Sequence, residues 1–349
     1  MEQNQREKRQ GIRREKVRRR AFIFLWVLVV LGLCLLLEYR FHFLRRIGKE
    51  KDYLIGPGES RFSFDGQETL LVSGELLYYS DLNRAEALCS YNLKTKEVQV
   101  LEQTKGVLKK TGTGMYYVTE AVVYRLEGET LSVLSPVPEG GSEFVDFYEG
   151  RLYWLTAGEK PEKAGEGELR DRRSIYIQEP VSLNGLQLLY QTDNAVTIRD
   201  AVLVHQRLYV MADDGIYAIE PLSGETIKLS GLCSFHCVSD GVHIVFEGTD
   251  EGKKELHYYE IVPDGQIVKR TDDAGVGAVY QGKLYYNSSG LRVCDLTVAD
   301  GESSLLGEVP LMCFMTVSAQ GVFLRDCLQN SIWFYDLDSG EKECIIPQK

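Results

Sequence analysis

Seven times the chain repeats one pattern: a glycine-type turn, a short strand centred on Leu-Tyr, a polar gap, and a second strand of the form Ile-Tyr-x-x-Asp-Leu. The first of these strands read GELLYYS at Gly74, GMYYVT at Gly114, GRLYWLT at Gly150 and QRLYVMA at Gln206. They continue as GVHIVFE at Gly241, GKLYYNS at Gly282 and GVFLRDC at Gly321. Their partners run from LCSYNLKT and VVYRLEGE through SIYIQEP, GIYAIE, LHYYEIV and LRVCDL to IWFYDL. A third short strand follows each pair, as at Val98–Leu101, Leu131–Leu134, Thr226–Leu229 and Glu343–Ile346. Another precedes it, clearest at Leu70–Val72, Phe144–Phe147, Ala201–Val204, Val276–Tyr280 and Phe314–Val317. Four strands per unit result.

Aligning the units on Tyr78, Tyr116, Tyr153, Tyr209, Ile244, Tyr285 and Leu324 gives steps of 38, 37, 56, 35, 41 and 39 residues. A period of roughly 40 with four strands is what a propeller blade requires. The long step reflects a charged, aperiodic insertion near 158–174 (GEKPEKAGEGELRDRRS), which belongs on the surface. Thirty of the 33 glycines fall after residue 51, at turn spacing for an all-β chain. The fold expected over 61–349 is a seven-bladed β-propeller of four antiparallel strands per blade. A β-sandwich, or two smaller β-domains, is the rival. Each blade must bury two apolar faces, so large residues alternate along the strands; Tyr packs its ring between blades while its hydroxyl reaches a polar rim.

Ala21 to Leu37, with Trp26 inside it, is a run of 17 residues free of charge and proline. Thirteen of them are Leu, Ile, Val or Phe, and the run spans about 25 Å as a helix, near the thickness of a bilayer core. No small-x-small cleavage pattern follows Leu37, so the run reads as an uncleaved signal anchor: one transmembrane helix. Nine Lys or Arg precede it and five follow within Arg40–Lys51. Positive charge stays inside, which puts residues 1–20 in the cytoplasm as a basic tail, 38–60 outside as a juxtamembrane linker, and the propeller beyond. The anchor contacts membrane lipid.

Charge divides the same way. Residues 1–51 hold 14 basic and 5 acidic side chains, leaving 26 basic and 46 acidic ones for the rest. A body with a net charge of −20 disfavours nucleic acid, which needs a basic face, and favours cationic or neutral partners such as basic peptides, envelope polymers or another membrane protein.

Tyr153-Trp154-Leu155-Thr156 resembles the YWTD signature of lipoprotein-receptor propellers. The wider layout of basic tail, single helix and propeller is similar to the low-density-lipoprotein-receptor-like propeller domains of unknown function in bacterial single-pass membrane proteins. That resemblance implies extracytoplasmic display and partner binding, and it carries over no functional residues. WD40 propellers are disfavoured, because the Gly-His and Trp-Asp pairs are missing.

Chemistry-bearing residues are sparse. Of eight cysteines, Cys34 sits in the apolar run and seven lie beyond it, an odd number without regular spacing. Cys233-Ser-Phe-His236-Cys237 gathers two thiols and an imidazole, and Cys233, His236 and Cys237 are the weak candidates for a metal. Strand alternation would set 233 and 237 on one face and 236 on the other. Neither a catalytic triad nor a phosphate-cradling glycine motif can be assembled, and no cofactor is expected. His205, His243 and His257 are expected in repeat strands; Asp213, Asp214, Asp272 and Asp273 are expected in turns. The function these observations favour is a membrane-anchored extracytoplasmic binding or scaffolding module for a protein, peptide or envelope polymer. The alternative is a propeller enzyme, a hydrolase or lyase, with its site at the mouth of the central channel.

Overall fold

The computed structural model describes residues 69–138, 142–157, 172–180, 185–193, 196–249, 255–299, 301–309, 314–326 and 331–347. The chain divides into a unit Met1–Asp52 and a unit Tyr53–Lys349. The tail 1–20, the helix 21–37 with Ala21, Trp26 and Leu37, and the linker 38–60 lie outside the described residues. Among the described residues no helix is long and apolar enough to cross a membrane.

The second unit is the expected seven-bladed propeller. Seven four-stranded antiparallel sheets occupy residues 70–102, 106–136, 143–191, 198–230, 233–269, 276–307 and 314–346. Within each sheet the order in space is the order in sequence. The first strands are Leu70–Ser73, Gly106–Thr111, Glu143–Tyr148, Ile198–Val204, Cys233–Ser239, Val276–Tyr280 and Phe314–Ser318. In blade three the third strand starts at Arg172, so the insertion stops short of the expected Ser174.

One end of the ring carries the turns joining first to second and third to fourth strands. The opposite end carries the second-to-third connections and the passages between blades; it is called here the crossover end. The third-to-fourth turns use side chains as caps. Asn92 accepts from the amides of Lys94 and Thr95, Glu220 from those of Leu222 and Ser223, and Asp336 from those of Asp338 and Ser339. Gly224 and Gly340 then take a positive φ of 77° and 72°, open to glycine without strain.

The core lies between blades rather than along an axis. Leu71, Tyr78 and Leu88 of blade one meet Leu108, Tyr117 and Leu126 of blade two. Tyr116 and Val123 meet Phe144, Leu152 and Trp154 at the next seam. Further clusters join blades three to four, four to five, and five through seven. The last seam closes the ring: Leu70, Val72, Leu77 and Tyr79 pack on Phe323 and Ile332. Among the described residues no strand is exchanged there. The fourth place in blade seven is held by Lys342–Ile346; residues 61–64 lie outside the described residues. Arg325, buried in blade seven, donates instead to the carbonyls of Thr69 (3.1 Å) and Ser80 (2.6 Å) in blade one.

Hairpin registry refines the alignment of the repeat. Counting two residues beyond each first hairpin pair selects Tyr78, Tyr116, Tyr153, Tyr209, Phe246, Tyr285 and Phe323. Phe246 replaces Ile244 because blade five has a longer first turn, Asp240 to His243. The last three steps become 37, 39 and 38 residues. Every blade therefore places an aromatic ring at this position. Two of the hydroxyls tie one blade to the next: Tyr78 donates to Gly128 O at 2.9 Å and Tyr153 to Pro221 O at 3.1 Å.

Polar groups on the inner strands are also spent on seams. Lys109 pairs with Glu143 at 3.0 Å, Asp146 accepts from Thr111 and Thr113 at 2.6 Å each, and Asp200 accepts from the amide of Cys237 at 3.0 Å. Asp240 takes the amide of Gly282 at 3.0 Å. At the turn end of the seam between blades five and six, His243 Nδ1 lies 2.6 Å from Glu260 Oε1. Arg270 Nε donates to Glu260 Oε2 at 2.6 Å, and its Nη atoms donate to the carbonyls of Leu296, Val298 and Ala299. Hydrogen bonding to Glu260 raises the pKa of His243, with Asp240 assisting, while burial and Arg270 oppose it. Asp295, on blade six, also feels the His243 charge. A folded value above the unfolded one means that protonated His243 stabilises the fold. That contribution is complete below a pH of about 6.5 and is lost as pH rises through the higher folded value. The gap in urea midpoint between the native chain and His243→Gln is therefore expected to be wider at pH 6 than at pH 9.

Candidate functional site

The strand carrying Cys233, His236 and Cys237 is the inner strand of blade five, Cys233–Ser239. It is bulged. Ser234 opposes Gly248 and Cys237 opposes Phe246, so Phe235 and His236 together face the single residue Glu247. An extra residue reverses the alternation and re-aims a side chain. Ser234, bonded to Ala212, and Cys237, packed with Val202 and Met211, both face blade four. Cys233, next to Ser234, falls on the other side of the strand. The expected sharing of one face by 233 and 237 thus does not hold, and His236 moves to the side of Glu247. Burial raises the Cys233 thiol pKa, and Cys237 is buried. Among the described residues no cluster of three or more His, Cys, Asp or Glu is arranged to hold a metal ion.

Glu247 is the residue that composition and spacing did not single out. It sits near the end of the second strand, Ile244–Thr249, and opposes Tyr258 on the third, His257–Ile261. Both side chains face blade six. Tyr258 is fully buried, stacks edge-on to Tyr286 at 5.7 Å, and donates its hydroxyl proton to the carbonyl of Gly275. Gly277 permits that approach: a Cβ there would lie 2.5 Å from the Tyr258 oxygen. The hydroxyl also lies 3.3 Å from Glu247 Oε1. A phenol has one proton to give, and Tyr258 shares it between the Gly275 carbonyl and Glu247, so the carboxylate receives only part of a hydrogen bond.

The electrostatics follow from this arrangement. Glu247 is 9% exposed, and burial pushes its carboxyl up to about 6, while His236 and Tyr258 pull it partly back. Stability conferred by the neutral acid is present below its unfolded value of 4.5 and disappears as pH rises through about 6. At neutral pH the fold therefore carries this carboxylate at a cost of about 2 kcal/mol. A buried acid, an imidazole brought alongside by a bulge, and an ordered phenol make a group that exchanges protons near neutral pH or accepts a cation.

Neighbouring polar residues brace the same end of the seam. Asp273 accepts from Tyr286 (3.1 Å) and Ser288 (2.6 Å), and Tyr258 N donates to the Thr271 hydroxyl at 3.1 Å. The other acids expected in turns are engaged locally: Asp213 with Arg199, Asp214 with Tyr217 and Lys228, Asp272 with Lys269. Of the three histidines expected in strands, His257 is in one; His205 and His243 sit in first-to-second turns.

No family model matches the chain, and neither does any curated protein. Solved structures do. An oligogalacturonate lyase in complex with manganese superposes with a TM-score of 0.51 at 11% identity, over 81% of this chain and 88% of that one. Pyrococcus horikoshii acylaminoacyl peptidase gives 0.51 at 12% identity, over 86% of this chain and 54% of the peptidase, so the chain spans about half of that enzyme. A nidogen/laminin complex gives 0.42 at 13% identity, over 65% of this chain and 90% of that one. At such identities the likeness to the lyase and the peptidase establishes the propeller fold alone.

Proposed function

We propose that the protein is a membrane-anchored, extracytoplasmic binding module: the segment 21–37 tethers it and the crossover end of the propeller holds its partner. One observation carries this reading. The ionisable side chains of the inner strands are largely committed to joining blades, as Lys109 with Glu143 and Asp200 with the Cys237 amide illustrate, rather than converging as a reactive set. A ring braced this way presents rigid loops, which suits recognition. The propeller-enzyme reading draws on one contrary observation, the Glu247–His236–Tyr258 group, which has the ingredients of acid–base chemistry.

Site-specific photo-crosslinking in the cells that make the protein tests the binding reading. A crosslinking residue at Asn83, Glu120 or Ser289, exposed at the crossover end, is expected to trap a discrete partner. The same residue at Glu75, Glu129, Asp264 or Asp338, exposed at the turn end, is expected to trap none. Crosslinks from the turn end alone, or equal adducts from both ends, would overturn the proposal.

A further inference from the structure

We infer that the crossover end of the seam between blades five and six is a subsite for an organic cation, with the Glu247 carboxylate as counter-ion to a protonated amine of the partner. This rests on the reading of the crossover end as the recognition surface and names the chemistry that one part of it selects.

The argument is one of unmet need. Burying a carboxylate requires a donor or a positive charge close by. The donor that reaches Glu247 is the neutral Tyr258 hydroxyl, whose single proton is shared with Gly275 O, so the carboxylate has part of a hydrogen bond and no full counter-charge. Blade six faces the site with the start of its inner strand, where Gly275 and Gly277 bring no charge. From blade five's inner strand His236 lends some positive potential, insufficient to hold the carboxyl at its ordinary value. The acid nevertheless keeps 9% exposure, and Phe235 and His236 beside it are half-buried, so the site opens toward solvent. An ammonium group entering there supplies three donors and a full charge to an anion already stripped of water. The net charge of −20 over residues 52–349 draws cations toward the propeller, and the buried acid selects where one is held.

Calorimetric titration of the full-length chain in a neutral detergent, at 150 mM salt to screen the general surface field, tests this. The probes are tri-lysine, spermidine and tri-lysine with every amine acetylated. At pH 7.5 at least one amine is expected to bind and the acetylated peptide not to. Binding at pH 5, where Glu247 is protonated, is expected to be at least tenfold weaker. Glu247→Gln is expected to lose at least tenfold at pH 7.5 and to keep little further pH dependence, while its urea midpoint at that pH stays the same or rises, since the variant removes a costly charge. Tri-lysine binding better than spermidine identifies a peptide as the source of the amine; the reverse identifies a free polyamine. Equal affinity for native chain and Glu247→Gln, or no binding of either amine, would sink the inference. A crossover-end crosslink that survives alongside that outcome would show that the recognition surface stands and only this subsite fails.

Discussion

Replacing Arg325 with leucine is expected to lower the unfolding free energy of the chain by roughly 2–5 kcal/mol. Arg325 is 2% exposed and bridges the seam where the first and last blades meet without a covalent link. Burial pulls its pKa down to about 10, with Asp81 and Glu86 acting the other way, so the guanidinium stays charged at neutral pH. Leucine would match much of its bulk but strand the carbonyls of Thr69 and Ser80, each at a cost of about 1–3 kcal/mol. Urea denaturation followed by tryptophan fluorescence reads the loss, and a thermal midpoint lower by roughly 5–15 °C is the corresponding calorimetric signal. Arg325→Lys separates charge from geometry: an ammonium carries all its donors on one nitrogen, whereas Nη1 and Nη2 reach the two carbonyls separately, so it is expected to recover only part of the stability. If leucine leaves the midpoint unchanged, the ring is closed by the apolar seam alone.

Trp154→Ala is expected to cost about 3–5 kcal/mol, the range for emptying a large aromatic site. Trp154 is fully buried in the second strand of blade three, Arg151–Ala157, and continues an edge-on aromatic stack from Tyr116 through Phe144 with centroids 5.0 and 5.6 Å apart. Its Nε1 donates to Gln178 Oε1 at 2.9 Å. Phenylalanine at this position would retain the stack and forfeit only that bond and some volume, for a loss of about 1–2 kcal/mol. The pair of variants, compared by urea midpoint, apportions the effect between packing and the hydrogen bond. An alanine variant as stable as the phenylalanine one would mean that the seam between blades two and three collapses around the gap.

Fold and site differ in how plainly the sequence displays them, for a physical reason. Blades declare themselves through second and third strands, because those strands pack on both faces and must alternate large apolar residues with turns. Inner strands declare themselves less. Two of them, Gly106–Thr111 and Cys233–Ser239, carry Lys109, Lys110 and Ser234, polar residues whose burial only the neighbouring blade makes tolerable. Arg325 hides likewise in GVFLRDC, since its partners are main-chain carbonyls some 245 and 256 residues away. Glu247 depends on a bulge, and a one-residue insertion in a strand leaves no compositional trace. The Cys-Ser-Phe-His-Cys motif did draw attention to the right strand; its register directs the imidazole to a carboxyl instead of to the thiols.

Each blade is one uninterrupted stretch of chain, and the outermost strand of the seventh comes from that blade's own segment. During synthesis on the ribosome, six blades' worth of sheet can therefore assemble in order as they emerge, each capping the exposed flank of its predecessor. The annulus itself cannot shut until the seventh blade, residues 314–346, has emerged with Arg325 in it. Until then blade one waits with a greasy flank uncovered, and that interval is when this molecule is most vulnerable to sticking to its neighbours.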